Sequence, residues 1–249
     1  MYEAHPTFIQ PDNENFKVWK YMDFTKFISL IDTRRLYFTR ADRFDDPFEG
    51  SWTKINIDDR KDFPVFKDLP EEEQKKRLEA FGNTMKTFPR YHALNCWHEN
   101  EYESAAMWKL YLKSDEGIAI QSTYNQLKKS IIDDEKVFIG KVKYIDYKTG
   151  FIDHQNVFSA FMHKRKSFEH EKEIRAIVSK YPPVGLEDPP KETILDGIPI
   201  KVNIELLIQK IHVAPNAPTW FSDLVKGAVK RYGCDFEVIH SQMDSSPLF

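Results

Sequence analysis

The chain has 249 residues, 41% of them hydrophobic and 14% aromatic, with a net charge of −3 at pH 7. That composition supplies a sizeable core and excludes a disordered chain, while the weak negative charge offers no overall electrostatic footprint for nucleic acid. No stretch approaches the roughly 18 apolar residues of a membrane span, the N-terminus lacks a signal-peptide pattern and no interior stretch reads as a linker, so the expectation is one soluble, cytoplasmic domain covering 1–249.

The first periodic element follows Asp23, an N-cap candidate, where Phe24, Phe27, Ile28 and Ile31 share a helical face that ends at Asp32 and Thr33. A strand at 36–39 comes next. A second helix is expected from 70 to about 86, with Leu78, Phe81 and Met85 inward and Glu71, Glu72 and Glu73 at its positive end. After a strand at 93–97, residues 104–112 read as a short helix and 117–122 as a buried strand, with Ser122 capping a helix at 124–132. Residues 136–147 alternate as one long strand, bent by a bulge at Gly140. An amphipathic helix at 154–168, built on Val157, Phe158, Phe161 and Met162, places Lys164, Arg165 and Lys166 at a solvated end. A strand at 171–179 follows. The segment 181–196 holds four of the 14 prolines and reads as a loop bordering the site. Strands at 198–202 and 210–213, a helix at 218–232 stopped by Gly233, and a strand at 236–240 complete the pattern. About eight strands irregularly interleaved with five or six helices predict an α+β fold with a curved, mostly antiparallel sheet.

Only Cys96 and Cys234 are present, without CxxC spacing or a Cys/His zinc pattern, so reduced thiols and no metal framework are expected. Three stretches set charges among aromatics: RADRFDDPFEG (40–50), CWHENEYESAAMWKLY (96–111) and RKSFEHEKEIR (165–175). Burying a charge beside apolar surface is costly unless something compensates it, so the three are expected to converge on one polar site. In the first, Pro47 restricts Asp46 to an extended conformation and fixes a turn that aims Asp45, Asp46 and Glu49. The plainer alternative is a turn in which Glu49 merely pairs with Arg43. In the second, Ser104, Met107, Trp108 and Tyr111 fall on one helical stripe, preceded by His98, Glu99, Glu101 and Glu103. Met107 and Trp108 read first as core, and His98 as a structural hydrogen-bonder. In the third, strand periodicity sets Glu171, Glu173 and Arg175 on one face, the carboxylates about 7 Å apart. Like charges at that separation push one pKa up while an arginine holds the other down, making an acid and a base from the same side chain. The alternative is an edge strand with a charged outer face.

Together these stretches resemble the bacterial domain-of-unknown-function family numbered 2971, through the Asp-Asp-Pro-Phe-Glu turn at 45–49, the Met-Trp-x-x-Tyr helix at 107–111 with Gly-Ile-x-Ile at 117–120, and Glu-x-Glu-x-Arg at 171–175. The resemblance implies a standalone bacterial effector in a phage-defence or toxin setting. More distantly, the order strand, helix, short strand around 24–31 and the Glu171-Lys172-Glu173 motif are similar to ADP-ribosyltransferases. That likeness implies NAD as substrate, with Glu173 stabilising the oxocarbenium-like sugar, Glu171 activating the acceptor, and Ser122 or Thr123 at a middle Ser-Thr-Ser position. Where that family offers His or Arg to the NAD ribose, this chain has Lys20 and Tyr21, which makes Tyr21 a candidate cofactor contact.

The expectation is therefore an enzyme with a carboxylate-rich cleft for a small, anionic, nucleotide-like ligand. Arg40, Arg43 and Arg175 would grip the ligand by forked hydrogen bonds, and Asp46, Glu49, Glu101, Ser104, Trp108 and Tyr111 would complete its site. A rival reading is a magnesium-dependent nuclease or phosphohydrolase using Asp45, Asp46, Glu49, Glu101 and Glu173. A third is a non-catalytic ligand-sensing or partner-binding module whose charge clusters are structural ion pairs.

Overall fold

Strand β1 (Lys17–Asp23) ends on Asp23, whose carboxylate accepts the Lys26 N–H at 2.8 Å and starts helix α1 (Phe24–Thr33). This computed structural model describes residues 1–112, 115–154, 156–181 and 193–244, so residues 182–192 of the expected loop lie outside the described residues. Helix α1 buries Phe27, Leu30 and Ile31 and stops at Arg34, which adopts the left-handed conformation at φ 53°. The chain then turns into β2 (Arg35–Arg40), where alternation sends Leu36, Phe38 and Arg40 inward.

Short helix α2 (Lys54–Asp58) and helix α3 (Glu71–Met85) follow. The acidic first turn of α3 is as expected, but Leu78, Phe81 and Met85 are only half-buried, and no residue of the helix is fully covered. β3 (His92–Glu99), α4 (Ala105–Tyr111), β4 (Gly117–Thr123) and α5 (Tyr124–Ser130) match the expected order. The cap of α5 is Thr123, whose hydroxyl accepts the Gln126 N–H at 3.2 Å, and not Ser122, because the strand runs one residue further.

Two expected elements are divided. The long strand is β5 (Phe138–Lys141) plus β6 (Lys143–Ile145), which break at Val142 and join different sheets. Gly140 makes no bulge; a Cβ there would lie 2.8 Å from Phe8 Cβ, so its role is close approach of the N-terminal segment. The helix expected at 154–168 is only α6 (Phe158–Phe161), followed by β7 (His163–Arg165) and a 3-10 turn at 166–171. The remainder is β8 (Glu173–Ser179), β9 (Gly197–Lys201), α7 (Ile204–Leu207), β10 (Lys210–Val213), α8 (Thr219–Arg231) and β11 (Glu237–His240). Gly233 sits at φ +72° just past α8, as its stop requires.

Among the described residues, nine strands form one sheet in the order β11-β10-β4-β1-β3-β2-β9, with β8 on β3 and β5 on β8; every pairing in it is antiparallel except β10 with β11. The fold is thus the expected α+β class with a large, mostly antiparallel sheet. β8 lies between β3 and β5, so the edge-strand alternative for 171–175 is wrong. Ile174, Ala176 and Val178 enter the main core with α1, α5 and α8, while Ile177 joins a second core with Phe8, Leu94, Phe138 and Phe161. No helix among the described residues is long and apolar enough to cross a membrane.

The feature that positions the site is a fork. One edge of β3 pairs with β8 from His92 to His98. Its other edge pairs with β2 at Ala93 and Leu94 and with β1 at His98 and Glu99, so the two strands part over 95–97. Side chains fill the gap, as buried backbone groups demand partners. Asn95 Nδ2 donates to the Tyr37 carbonyl at 2.8 Å, and Lys20 Nζ donates to the Cys96 carbonyl at 3.1 Å.

Candidate functional site at the sheet fork

The fork opens into a cavity of about 550 Å³. Each charged stretch contributes to its wall: Asp45, Asp46 and Glu49 from the first, Cys96, His98 and Tyr111 from the second, Glu171 and Glu173 from the third. Segments more than a hundred residues apart therefore meet.

At the centre is Arg175, fully buried on β8. Its Nε and Nη2 donate to Glu173 at 2.6 and 2.9 Å, its Nη1 and Nη2 to Glu49 at 2.5 and 3.1 Å, and Nη1 also to the Phe161 carbonyl at 2.5 Å. All five guanidinium hydrogens are engaged by the protein. Arg175 thus holds two carboxylates and has no fork left for a ligand, which corrects the ligand-gripping role expected of it. The turn that delivers Glu49 depends on Gly50, at φ +70°, where a Cβ would strike the Phe161 ring at 2.3 Å.

Glu173 also receives Lys164 Nζ at 3.4 Å, and the Cys96 thiol donates to it. Burial alone would raise its pKa, but the Arg175 and Lys164 charges outweigh that and hold it near 2. Glu49, sharing the same guanidinium, is raised by burial and by the Glu173 charge, with Arg175 only partly offsetting them. One site thereby makes two unlike carboxylates. The expected asymmetric pair was Glu171 with Glu173; the asymmetric pair observed is Glu49 with Glu173. Glu171 stands before the strand rather than on it, because Lys172 takes a left-handed turn at φ 40°. It still reaches the site, accepting Lys164 Nζ at 2.5 Å. Burial pushes the Cys96 thiol well up, so it stays protonated.

Among the described residues, Lys20 is a cavity cation that makes no ion pair with a carboxylate. Its ammonium touches the Cys96 carbonyl and lies 5.7 Å from the Trp97 ring centroid, and burial pulls its pKa down to about 8. Lys26, Arg35 and Lys164 line the same cavity. The lining sets these four cations against five carboxylates, Asp45, Asp46, Glu49, Glu171 and Glu173. Net charge describes the whole chain and not one surface, so the exclusion of nucleic acid on net charge is withdrawn.

The remaining expected residues separate. Tyr21 lines the cavity, and its hydroxyl accepts the Ser104 N–H at 2.8 Å; Ser104 itself caps α4 outside the lining. Trp108 is buried and donates to Glu103 at 3.0 Å, which is the core role its spacing also allowed. Ser122 is buried away from the cavity. Glu101 is exposed and pairs with Lys17 at 2.6 Å. Arg40 is clamped by Asp42 at 2.6 and 3.1 Å, and exposed Arg43 pairs with Asp196 at 3.0 Å; neither lines the cavity. Asp46 does, while paired to Arg165 at 2.7 Å. Four of the five carboxylates of the magnesium reading line the cavity and Glu101 does not, but no group of three His, Cys, Asp or Glu side chains stands at ligand geometry among the described residues. Lys164, expected at a solvated helix end, is half-buried between Glu171 and Glu173. A strand in place of the helix turned it inward. Lys20, named in the sequence only as standing beside Tyr21, and Lys164 are the site residues not expected as such; for Lys20 the available signal was a lysine inside the largely apolar run of β1, whereas Lys164 sits in the polar strand His163–Arg165, whose sequence gives no such signal.

No protein-family model matches the chain, the 2971 family included, and no curated protein matches it. Solved structures of DarT from Thermus sp. 2.9 are similar over nearly the full length. The complex with NAD+ has 8% identity and a TM-score of 0.43, covering 94% of this chain and 99% of that one. The complex with carba-NAD+ has 8% identity and a TM-score of 0.40, covering 93% and 98%. The complex with ADP-ribosylated ssDNA has 8% identity and a TM-score of 0.41, covering 95% and 98%.

Proposed function

We propose that the fork cavity binds NAD and transfers its ADP-ribosyl group, with Glu173 as the catalytic carboxylate. The observation that carries this reading is a buried carboxylate, kept ionised by Arg175 and Lys164, facing a cavity large enough for a nucleotide. A fixed negative charge in a low-dielectric wall stabilises positive charge developing on a sugar carbon. Lys20 supplies the cationic contact for the diphosphate, and Trp97, Tyr111 and Phe168 in the lining offer ring faces. In the reaction the C1′–N bond breaks and nicotinamide leaves with its electron pair. The acceptor's lone pair then forms the new bond to C1′, and the released proton passes to Glu171.

Incubation with labelled NAD tests this directly. Nicotinamide release is expected from the intact protein, and Glu173→Gln is expected to lower it by roughly 10²–10³-fold, the size of losing one preorganised electrostatic group. Equal rates for the two proteins, or no release with any acceptor extract, overturn the reading. The saturated Arg175 network favours a second, non-catalytic reading, in which the cluster only braces the fold. Under that reading Glu173→Gln changes the melting temperature and leaves ligand binding and turnover untouched.

A further inference from the structure

The wall of the fork cavity is divided by charge. Its five carboxylates come from the first and third charged stretches, at 45–49 and 171–173. The lining residues between 19 and 39, carried by β1, α1 and β2, include Lys20, Lys26 and Arg35 and no acidic side chain. The lysines of the lining differ in what holds them. Lys164 is shared by Glu171 and Glu173, and exposed Lys26 pairs with Asp23 at 2.8 Å. Lys20 Nζ donates to the Cys96 carbonyl at 3.1 Å and makes no ion pair among the described residues. Arg35 donates to the Pro199 carbonyl at 3.2 Å and bears on Asp133, also without an ion pair among the described residues. Burial pulls the Lys20 pKa down to about 8, with the Lys26 charge adding to the effect and the Glu173 charge opposing it. About a tenth of the molecules therefore carry Lys20 as the free amine at pH 7, roughly two hundred times the fraction of an ordinary surface lysine.

We infer that Lys20 forms an imine with the carbonyl carbon of a phosphorylated aldehyde, whose phosphate is met by Arg35 and Lys26. An amine desolvated in a cavity beside a second cation is poised as a nucleophile toward carbonyl carbon. The nitrogen lone pair attacks that carbon, the C=O π pair moves to oxygen, and the proton shed by nitrogen passes to the same oxygen. The hydroxyl so formed takes up the proton that Lys20 first released and leaves as water, while the nitrogen pair makes the C=N bond. Counted from the ammonium, the products are a protonated imine and one water, with no net proton and no redox change. The Glu173 charge, felt at Lys20, stabilises the positive nitrogen of the imine. The step needs the cavity and the free amine and does not rest on ADP-ribosyl transfer.

Reductive trapping on the full chain tests the inference. The protein is incubated at pH 7 with ribose 5-phosphate or pyridoxal 5′-phosphate, the imine is fixed with borohydride, and the modified lysines are located by peptide mass mapping. Lys20 is expected to be labelled at least tenfold faster than exposed Lys148 and Lys166, and ribose without its phosphate is expected to label it at least tenfold more slowly than ribose 5-phosphate. Trapping by either phosphorylated probe supports the inference, and the one effective at lower concentration tells a sugar from an aromatic aldehyde. Lys20→Arg keeps the charge and is expected to abolish the adduct at that position with no compensating gain elsewhere. Arg35→Gln is expected to slow labelling by ribose 5-phosphate at least tenfold and to leave labelling by ribose unchanged. Labelling spread evenly over the exposed lysines, no adduct on Lys20, or indifference of its rate to the phosphate and to Arg35→Gln overturns the inference. The mapping on the unmutated chain decides the first two outcomes even where a variant fails to fold. Trapping at Lys20 in a protein inert toward NAD leaves this site standing and removes only the transfer reading.

Discussion

Arg175, buried behind the cavity wall, and Lys20, in its lining, are both cations in the middle of strands, and they carry opposite burdens. Arg175 compensates two buried carboxylates, so Arg175→Met leaves both without their partner at a cost of about 3–5 kcal/mol. At roughly 2–4 °C per kcal/mol for a domain of this size, the melting temperature is expected to fall by about 10 °C, measurable by calorimetry. The pH dependence gives the sign. In the parent, Glu173 has a depressed pKa, so its contribution is present above the ordinary value of about 4.3 and is lost as pH falls toward about 2. In Arg175→Met that pKa rises, and mild acid is expected to recover stability instead of removing it. Lys20 makes no ion pair with a carboxylate among the described residues and sits near 8, so its charge disappears as pH rises through that value. Affinity for an anion such as pyrophosphate or ADP-ribose is expected to drop by roughly tenfold between pH 7 and pH 9.5, and Lys20→Met is expected to abolish that pH dependence in calorimetric titrations.

At the scale of elements, amphipathic periodicity was readable wherever one face alone is buried. Helices α1 and α8 follow their apolar stripes and stop where Arg34 and Gly233 turn left-handed. It misled at 154–168, where Phe158, Phe161 and Met162 are all buried in the second core and their spacing imitates a helix that lasts one turn. It misled again at 136–147, where one alternating run serves two sheets. Gly140 shows what such a run conceals. Its missing side chain makes room for Phe8, so Gly140→Ala is expected to cost about 1–3 kcal/mol through overpacking. The N-terminal segment is expected to become sensitive to limited proteolysis before the rest of the chain unfolds, because the clash bears on that segment first.

For the whole molecule, β3 and β8 are flanked by strands on both sides and covered on both faces, whereas β9 and β11 close the sheet at its ends. Amide hydrogen exchange is expected to be slowest at the centre of β3 and β8 and faster by orders of magnitude on the two end strands. The same centrality makes the fork a fixed scaffold for the cavity. The amino-acid sequence by itself determined the fold class, most of the helices and strands, and the three charged stretches, because periodicity, caps and the cost of burying charge are local properties of the chain. Only the tertiary structure decided that Arg175 serves Glu49 and Glu173 in place of a ligand, that Lys20 and Lys164 face the cavity, and that Trp108, Ser122 and Glu101 do not. Those assignments turn on which side of a strand faces which neighbour, and that depends on register and sheet order set by contacts between segments far apart in the chain.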